Sequence, residues 1–192
     1  MTTPLHYASY KGHINAMRLL IEHGANVNKK NKDGWTPLHL ASYQNHTDIV
    51  RLLINAVADV DAKTVRGYTS LHCASYNGHT DAMRLLIEAG ANVNEKGVDW
   101  WTPLHLASYQ NHTDIVRLLI NAVADVNAKT IRGYTSLHLA SCYGSIDIMQ
   151  LLIEHDADVN EKNYNGETPL YRALCNGHTN ATQLLKSHGA LE

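Results

Sequence analysis

A four-residue motif, Thr-Pro/Ser-Leu-His, returns every 33 residues along this chain and limits the folds that are open to it. It begins at five threonines and is degenerate at a sixth: Thr3, Thr36, Thr69, Thr102, Thr135 and Thr168. A longer repetition lies over this period, because residues 36–60 and residues 102–126 are identical. A unit of this length cannot bury an apolar face alone, so neighbouring copies must stack into a continuous core. The 192 residues therefore predict one domain of six repeats, at about 1–33, 34–66, 67–99, 100–132, 133–165 and 166–192.

The start of each repeat predicts a short helix. Thr36 followed by Pro37 is typical of a helix N-terminus, with Thr as the cap and Pro in the first turn. This helix should stop near Asn45, at a position that holds glycine in four sister repeats. Gly or Asn at one fixed position indicates left-handed backbone at a helix C-terminus.

The rest of the repeat predicts a second helix and a turn. The second helix is expected to start after Thr47-Asp48 and to bury its apolar residues: Ile49, Val50, Leu52, Leu53 and Ile54. The polar segment that leads to Tyr68 contains Arg66-Gly67, which is typical of a tight turn.

These residues resemble the ankyrin repeat, whose Thr-Pro-Leu-His-x-Ala signature and 33-residue period match nearly letter for letter. The resemblance covers essentially all 192 residues in six copies. It implies an all-α repeat fold, an ankyrin-repeat solenoid of stacked helix-turn-helix units with projecting β-hairpin loops. The last repeat places polar residues such as Thr182 and Lys186 at apolar positions, which is typical of a C-terminal cap.

Several residues depart from the repeat pattern at positions that glycine occupies elsewhere. Trp100 replaces the hairpin glycine of the fourth repeat, so either that turn has a different shape or Trp100 accepts a strained backbone. Val57, Val123 and Asp156 replace the glycine that ends the second helix. Because a β-branched residue is poorly suited to positive φ, the two valine loops either avoid that conformation or store strain.

Thirteen histidines suggest a metal site, but ten of them recur with the period. Equivalent positions on stacked helices lie about 8–10 Å apart, too far for two histidines to share one metal ion. The resemblance implies instead that the histidines of the motif hydrogen-bond to turns across repeats: His6, His39, His72, His105 and His138. If these rings are buried and neutral, the free energy of unfolding should fall as the pH drops through ~6.5.

Other catalytic chemistry is disfavoured for the same reason. The three cysteines, Cys73, Cys142 and Cys175, fall at periodic positions, and none has a His–Asp set outside the repeat template. We expect Cys73 in the core and the other two thiols at the surface. No glycine-rich loop that could hold phosphate is present. We therefore expect no enzyme, no cofactor and no metal.

Composition disfavours two further classes of partner. A formal charge of −2 gives no general attraction for phosphate backbones, which disfavours nucleic acid. No apolar run approaches the ~20 residues of a membrane helix, and the first residues lack the regions of a signal peptide. Three cysteines without C-x-x-C spacing favour reduced thiols and a cytoplasmic location, including delivery into a host cell if the source is a pathogen or symbiont.

The resemblance also implies where a partner would bind, at the hairpin tips and the exposed face of the first helix, which line a concave groove. Those positions hold aromatic and basic residues, which often dominate binding energy: Trp35, Tyr43, Arg66, Tyr68, Tyr76, Trp101, Tyr109, Arg132 and Tyr134. The alternative is that the aromatic rings only cover hairpin–helix junctions.

We predict a monomeric, non-enzymatic interaction module that binds a protein or peptide partner. The alternative is a structural spacer in a longer array, or a segment that self-associates end to end through its first repeat. The resemblance also raises hydroxylation of asparagines in the turns, although holding the turn backbone is a sufficient role for them: Asn28, Asn94, Asn127 and Asn160.

Overall fold

The computed structural model describes residues 2–191, which form twelve α-helices in consecutive pairs and no β-strand. The first six are α1 (Pro4–Lys11), α2 (Ile14–Glu22), α3 (Pro37–Tyr43), α4 (Thr47–Asn55), α5 (Ser70–Asn77) and α6 (Thr80–Glu88). The last six are α7 (Pro103–Tyr109), α8 (Thr113–Asn121), α9 (Ser136–Tyr143), α10 (Ile146–Glu154), α11 (Pro169–Cys175) and α12 (Thr179–Ser187). A short 3-10 helix lies at Val98–Trp100. None of these helices is long and apolar enough to cross a membrane.

The chain divides into two compact units, an N-terminal unit of residues 1–98 and a C-terminal unit of residues 99–192. In the N-terminal unit the helices of each repeat pack together, α1, α3 and α5 lie in one layer, and α2, α4 and α6 lie in the other. The C-terminal unit has the same two layers, α7, α9 and α11 against α8, α10 and α12. The helical repeat architecture is thus confirmed, whereas a single domain over residues 1–192 stays a prediction.

Each first helix begins directly after the threonine of the motif, which is its N-cap, as the sequence predicts. Thr36 is extended, with φ −96°, and its side chain accepts a hydrogen bond from the backbone N–H of His39. The His39 Nδ1 atom accepts a hydrogen bond from the Thr36 N–H at 3.1 Å. Threonine and histidine therefore satisfy each other's backbone groups, as Ser/Thr and Glu/Gln do in a capping box.

The helix ends adopt the left-handed backbone that the glycine and asparagine positions predict. Gly12 has φ 78° and Asn45 has φ 59° at the ends of first helices. Val57 and Val123, with φ 61° and 64°, keep positive φ despite their branched side chains, so these loops accept the strain. Trp100 also has positive φ, 61°, and the turn around it differs in shape, since it lies in the 3-10 helix.

Two details of the second helix differ from the prediction. Helix α4 begins at Thr47 rather than after Asp48, with His46 as its first flanking residue. Ile49, Val50 and Leu53 are fully buried, whereas Leu52 and Ile54 are half-buried at the edges of the apolar face. The polar residues of α12 follow the cap prediction, since Lys186 is exposed and Thr182 is half-buried.

The projecting loops are held by turns and by hydrogen bonds to the next loop. The Gly67 N–H donates to the Thr64 carbonyl at 2.9 Å, which closes the tight turn predicted at Arg66-Gly67. The Val65 N–H donates to the Asp33 carbonyl of the preceding loop at 3.0 Å. These contacts position the loop residues without forming a strand in residues 2–191.

The asparagine side chains of the turns also join successive repeats. The Asn127 Nδ2 atom donates to the Asp156 carbonyl at 2.9 Å, and its Oδ1 atom accepts from the Asp158 N–H at 2.9 Å. Asn160 makes the same two bonds to Gly189 and Leu191. This structural role accounts for the residue type at these positions.

Candidate partner-binding surface

The projecting loops, including their aromatic residues Trp35 and Tyr68, have their backbone fixed by buried histidines of the preceding repeat. The Nε2 atom of His39 donates to the Tyr68 carbonyl at 2.9 Å, and that of His138 donates to the Glu167 carbonyl at 3.1 Å. His6 makes the equivalent bond to the Trp35 carbonyl at 2.9 Å. Because Nδ1 accepts from the threonine N–H while Nε2 donates, the network assigns one neutral tautomer to these rings. The predicted bonds between these histidines and turns of the next repeat are confirmed.

Burial changes the acid–base properties of these rings. His39 is fully buried, and that burial lowers its pKa to about 4, with a smaller contribution from the positive charge of Lys30. Burial also lowers the pKa of His138, against the opposing effect of its bond to the Glu167 carbonyl. Among residues 2–191 no group of three or more His, Cys, Asp or Glu side chains could hold a metal ion.

Two tryptophans each pack edge-on against the tyrosine of the following first helix. Trp35 and Tyr43 have ring centroids 5.7 Å apart at an angle of 80°. Trp101 and Tyr109 have ring centroids 5.6 Å apart at an angle of 82°. Such edge-to-face arrangements hold both rings in place while leaving parts of their faces at the surface. We call these the first and the second aromatic pair.

The loop aromatics are half-buried and the helix tyrosines are exposed. Trp35 covers His39, with ring centroids 5.8 Å apart, as the junction-covering alternative expects. Tyr68 lies against His72 and over Gly97, where a Cβ atom would come within 2.4 Å of the tyrosine ring. Tyr76, by contrast, is 44% exposed on α5. The loop aromatics therefore have a structural role in addition to any binding role.

In the C-terminal unit four of the predicted residues line one pocket of about 350 Å³, namely Trp101, Tyr109, Arg132 and Tyr134. The other five, Trp35, Tyr43, Arg66, Tyr68 and Tyr76, belong to the N-terminal unit. Helix α9 adds Leu139, Cys142 and Tyr143 to the pocket, and α11 adds Arg172. The pocket is thus assembled from three successive repeats.

The wall of this pocket is a network of aromatic and charged groups. Tyr109 and Tyr143 meet edge-on at 5.2 Å, and a hydrogen bond between their side chains raises the pKa of Tyr143 to about 12. The Arg172 guanidinium lies 5.7 Å from the centre of the Tyr134 ring and 3.6 Å from a Glu167 carboxylate oxygen. The Tyr134 hydroxyl donates a hydrogen bond at 3.1 Å to Glu167, the same carboxylate that pairs with Arg172. These contacts hold the pocket walls in a defined arrangement.

Sequence reasoning missed seven of the described residues that line this pocket, and three of the seven are changes from the repeat pattern. Cys142 stands where Tyr76 stands two repeats earlier, Tyr143 where Asn77 stands, and Arg172 at the position of buried Leu106. The signal that could have found them was their departure from the repeat, because all three are changes within an otherwise constant frame. The smaller cysteine leaves space at a position that a tyrosine occupies in other repeats.

Two of the cysteines, Cys73 and Cys175, lie as expected, whereas Cys142 is less exposed than expected. Cys73 is buried, and burial raises its pKa to about 12, so the thiol stays protonated. Cys142 is half-buried, with the Arg172 Nη2 atom 3.4 Å from its sulfur, and Cys175 is exposed. All three are free thiols.

Comparison with known proteins agrees with this architecture. A family model of ankyrin repeats matches three times, over residues 1–64, 56–130 and 124–191. The chain is similar to Ankyrin repeat domain-containing protein 13B of Mus musculus and of Homo sapiens, with 50% identity over 34 residues in each case. That match is 18% of this chain and only 5% of the length of each relative. Ankyrin repeats are generally protein–protein interaction modules. The three matches span nearly the whole chain, which therefore belongs to the ankyrin repeat family.

Proposed function

We propose that the chain is a non-enzymatic interaction module that binds a protein or peptide partner on its groove face. The groove face consists of the loop aromatics, the loop arginines and the first-helix tyrosines that the sequence predicts. The observation that carries the proposal is the aromatic pocket of the C-terminal unit, in which Trp101, Tyr109, Tyr134 and Tyr143 surround about 350 Å³. That volume is at the lower end of ligand pockets, which suits an anchoring side chain of a partner.

The composition of this pocket fits a binding role. Tyrosine and tryptophan supply a large contact area with few rotatable bonds, so little side-chain entropy is lost on binding. Trp101, Tyr109 and Tyr143 already pack against one another, which lowers that cost further. Arg132 is exposed beside them and forms no ion pair among residues 2–191, so its charge is available to a partner.

The proposal is tested with peptides selected from a random display library on the full chain. Peptide affinity is then measured by calorimetry on the wild type, Trp101→Ala and Tyr109→Ala. At the pocket of the C-terminal unit each variant should bind about thirtyfold more weakly, because loss of an aromatic anchor costs about 2 kcal/mol or more. Cys142→Tyr, which places the residue of the sister repeats in the pocket, should weaken binding as well.

Arg117→Ala is the matched control, because Arg117 is exposed on α8 in the same unit but lies outside the groove face. It should bind every selected peptide as the wild type does, and far-UV circular dichroism should report the same helix content for all variants. Wild-type affinity together with the wild-type number of bound peptides in both Trp101→Ala and Tyr109→Ala would refute the groove proposal.

A second candidate function is self-association through the first repeat. Tyr7 and Leu19 are each 58% exposed there, whereas Leu85 and Leu151, which occupy the position of Leu19 in later repeats, are only 8% and 7% exposed. Exposed apolar side chains of this size favour contact with another surface. Light scattering at several concentrations tests it, since a constant monomer mass would exclude self-association and a rising mass abolished by Leu19→Lys would support it.

A further inference from the structure

We propose that the chain carries one partner-binding site twice, once in each unit, and that its partner presents two copies of one short segment. This inference rests on the proposed function, because it concerns the number and chemistry of sites on the same groove face. The site consists of an aromatic pair, the loop that follows it, and the arginine at the tip of that loop.

The two aromatic pairs agree in sequence and in geometry. Tyr43 and Tyr109 lie within the identical segments 36–60 and 102–126, and Trp35 and Trp101 immediately precede those segments. The ring separations, 5.7 and 5.6 Å, and the ring angles, 80° and 82°, are nearly equal. A partner group that fits one pair therefore fits the other.

The loops beside the two pairs are built by the same hydrogen bonds. The Thr64 N–H donates to the Tyr68 carbonyl at 2.9 Å, and the Thr130 N–H donates to the Tyr134 carbonyl at 2.9 Å. The hydroxyls of these threonines accept from the backbone N–H groups of Tyr68 and Tyr134, each at 3.1 Å. The loop arginines are thus presented on equivalent backbones.

The charges at the two sites also correspond. Lys63 pairs with Glu95 at 2.8 Å and Lys129 pairs with Glu161 at 2.9 Å, and in each case the lysine lowers the pKa of the carboxyl group. Arg66 and Arg132 are exposed and form no ion pair in the described part of the chain. The lysines are therefore neutralised in place, whereas one arginine per site remains to attract an acidic group.

This chemistry defines the partner segment. The exposed tyrosine and half-buried tryptophan of each pair favour a bulky apolar side chain, and the loop arginine, which forms no ion pair within residues 2–191, favours a carboxylate. The segment therefore combines a bulky apolar residue with an adjacent Asp or Glu. Because both sites belong to one chain, a partner with two such segments gains affinity from the effective concentration of the second segment after the first has bound.

The sites differ at their edges. Gly34 precedes Trp35, whereas Trp100 precedes Trp101, and the pocket beside Tyr143 belongs to the C-terminal unit. The two sites should therefore share an anchor and bind the same segment with affinities that differ by less than about tenfold.

The experiment uses a peptide selected on the full chain as described above, and calorimetry to count the sites. We expect two peptides per wild-type chain, one per chain in Trp35→Ala or Trp101→Ala, and none in the double variant. If a tryptophan variant loses helix content, the number of bound peptides is measured instead in Tyr43→Ser and Tyr109→Ser, which remove exposed side chains. Arg51→Ala and Arg117→Ala, on the second helices within the identical segments, are controls that should keep both sites.

Two copies of the peptide are then joined by flexible Gly/Ser linkers of increasing length. On the wild type, the tandem peptide should bind at least tenfold more tightly than the single peptide at one or more linker lengths, and this gain should vanish in either single variant. Replacing the acidic residue of the peptide by lysine should weaken both sites at least tenfold, and no change would overturn the assigned segment chemistry.

The possible failures are distinguishable. One peptide per wild-type chain, with sensitivity to only one tryptophan, overturns the duplicated site but leaves the proposed function standing. If the wild type binds two peptides but the tandem peptide binds no more tightly than the single peptide at any linker length, the proposal of a partner with two segments is overturned. Peptides that bind both tryptophan variants like the wild type refute the proposed function, and the duplicated site with it.

Discussion

The buried histidines at the centre of two capping networks, His39 and His138, should make this protein sensitive to mild acid. His39 illustrates the effect, because burial lowers its pKa to about 4 from an ordinary value of 6.5. Protonation would also remove the Nδ1 lone pair that accepts the Thr36 N–H at 3.1 Å. The folded state therefore keeps the ring neutral, whereas the unfolded chain binds a proton near pH 6.5.

The sign and size of the effect follow from proton binding. Well above pH 6.5 neither state is protonated at His39, and its contribution to stability is fully present. As the pH falls towards 4 only the unfolded state gains a proton, so the free energy of unfolding decreases. One pH unit below 6.5 the loss is about 1.4 kcal/mol from this residue alone. His138, whose pKa burial also lowers, adds to that loss.

Urea unfolding at pH 7.5 and at pH 5.5, followed by circular dichroism, measures this loss. The interval avoids the carboxyl groups of Glu95, Glu161 and Glu167, because their pKa values are lowered from 4.5 and their stabilising effects are lost only at more acid pH. His39→Gln should reduce the difference between the two pH values by about 1 kcal/mol or more. The same change at exposed His23 should leave that difference as in the wild type. An equal free energy of unfolding at both pH values would refute the reasoning.

Three further predictions concern the backbone, the core hydroxyls and the thiols. Val57→Gly should raise the free energy of unfolding by about 1 kcal/mol, because the residue has φ 61°, is 82% exposed and loses little packing; urea unfolding measures it. Ser42→Ala should stabilise the fold by about 1 kcal/mol, since its buried hydroxyl has no hydrogen-bond partner among residues 2–191, whereas Ser75→Ala should destabilise it, because that hydroxyl donates to a carbonyl at 2.8 Å. Cys73 should resist alkylation until the chain unfolds, while exposed Cys175 reacts at once, as peptide mass spectrometry after timed labelling would report. These predictions would be contradicted if the two serine variants changed the free energy of unfolding equally or if Val57→Gly left it unchanged. Labelling of Cys73 in the folded protein would also contradict them.

Much of the fold could be predicted because its signals are local and are repeated six times. Thr36-Pro37 specifies where α3 begins through backbone geometry alone, and glycine or asparagine specifies where first helices end. The start of α4 was harder to place, because His46 caps it without a side-chain hydrogen bond to the helix. The predicted site residues were chosen by position in the repeat, and the aromatic pairs are indeed neighbours in space. Their binding role stays a prediction.

The sequence by itself determined the repeat, the helix pairs and the family, because short-range hydrogen bonds and apolar periodicity depend on residues that are close together in the chain. It left open the backbone at Val57, and only the structure shows that this β-branched residue has positive φ. It also could not reveal the pocket, whose residues Trp101, Tyr143 and Arg172 come from three different repeats. Nor could it give the lowered pKa of His39, which arises from burial of the ring in the folded protein. These properties depend on which side chains meet between repeats, and that is decided by tertiary packing.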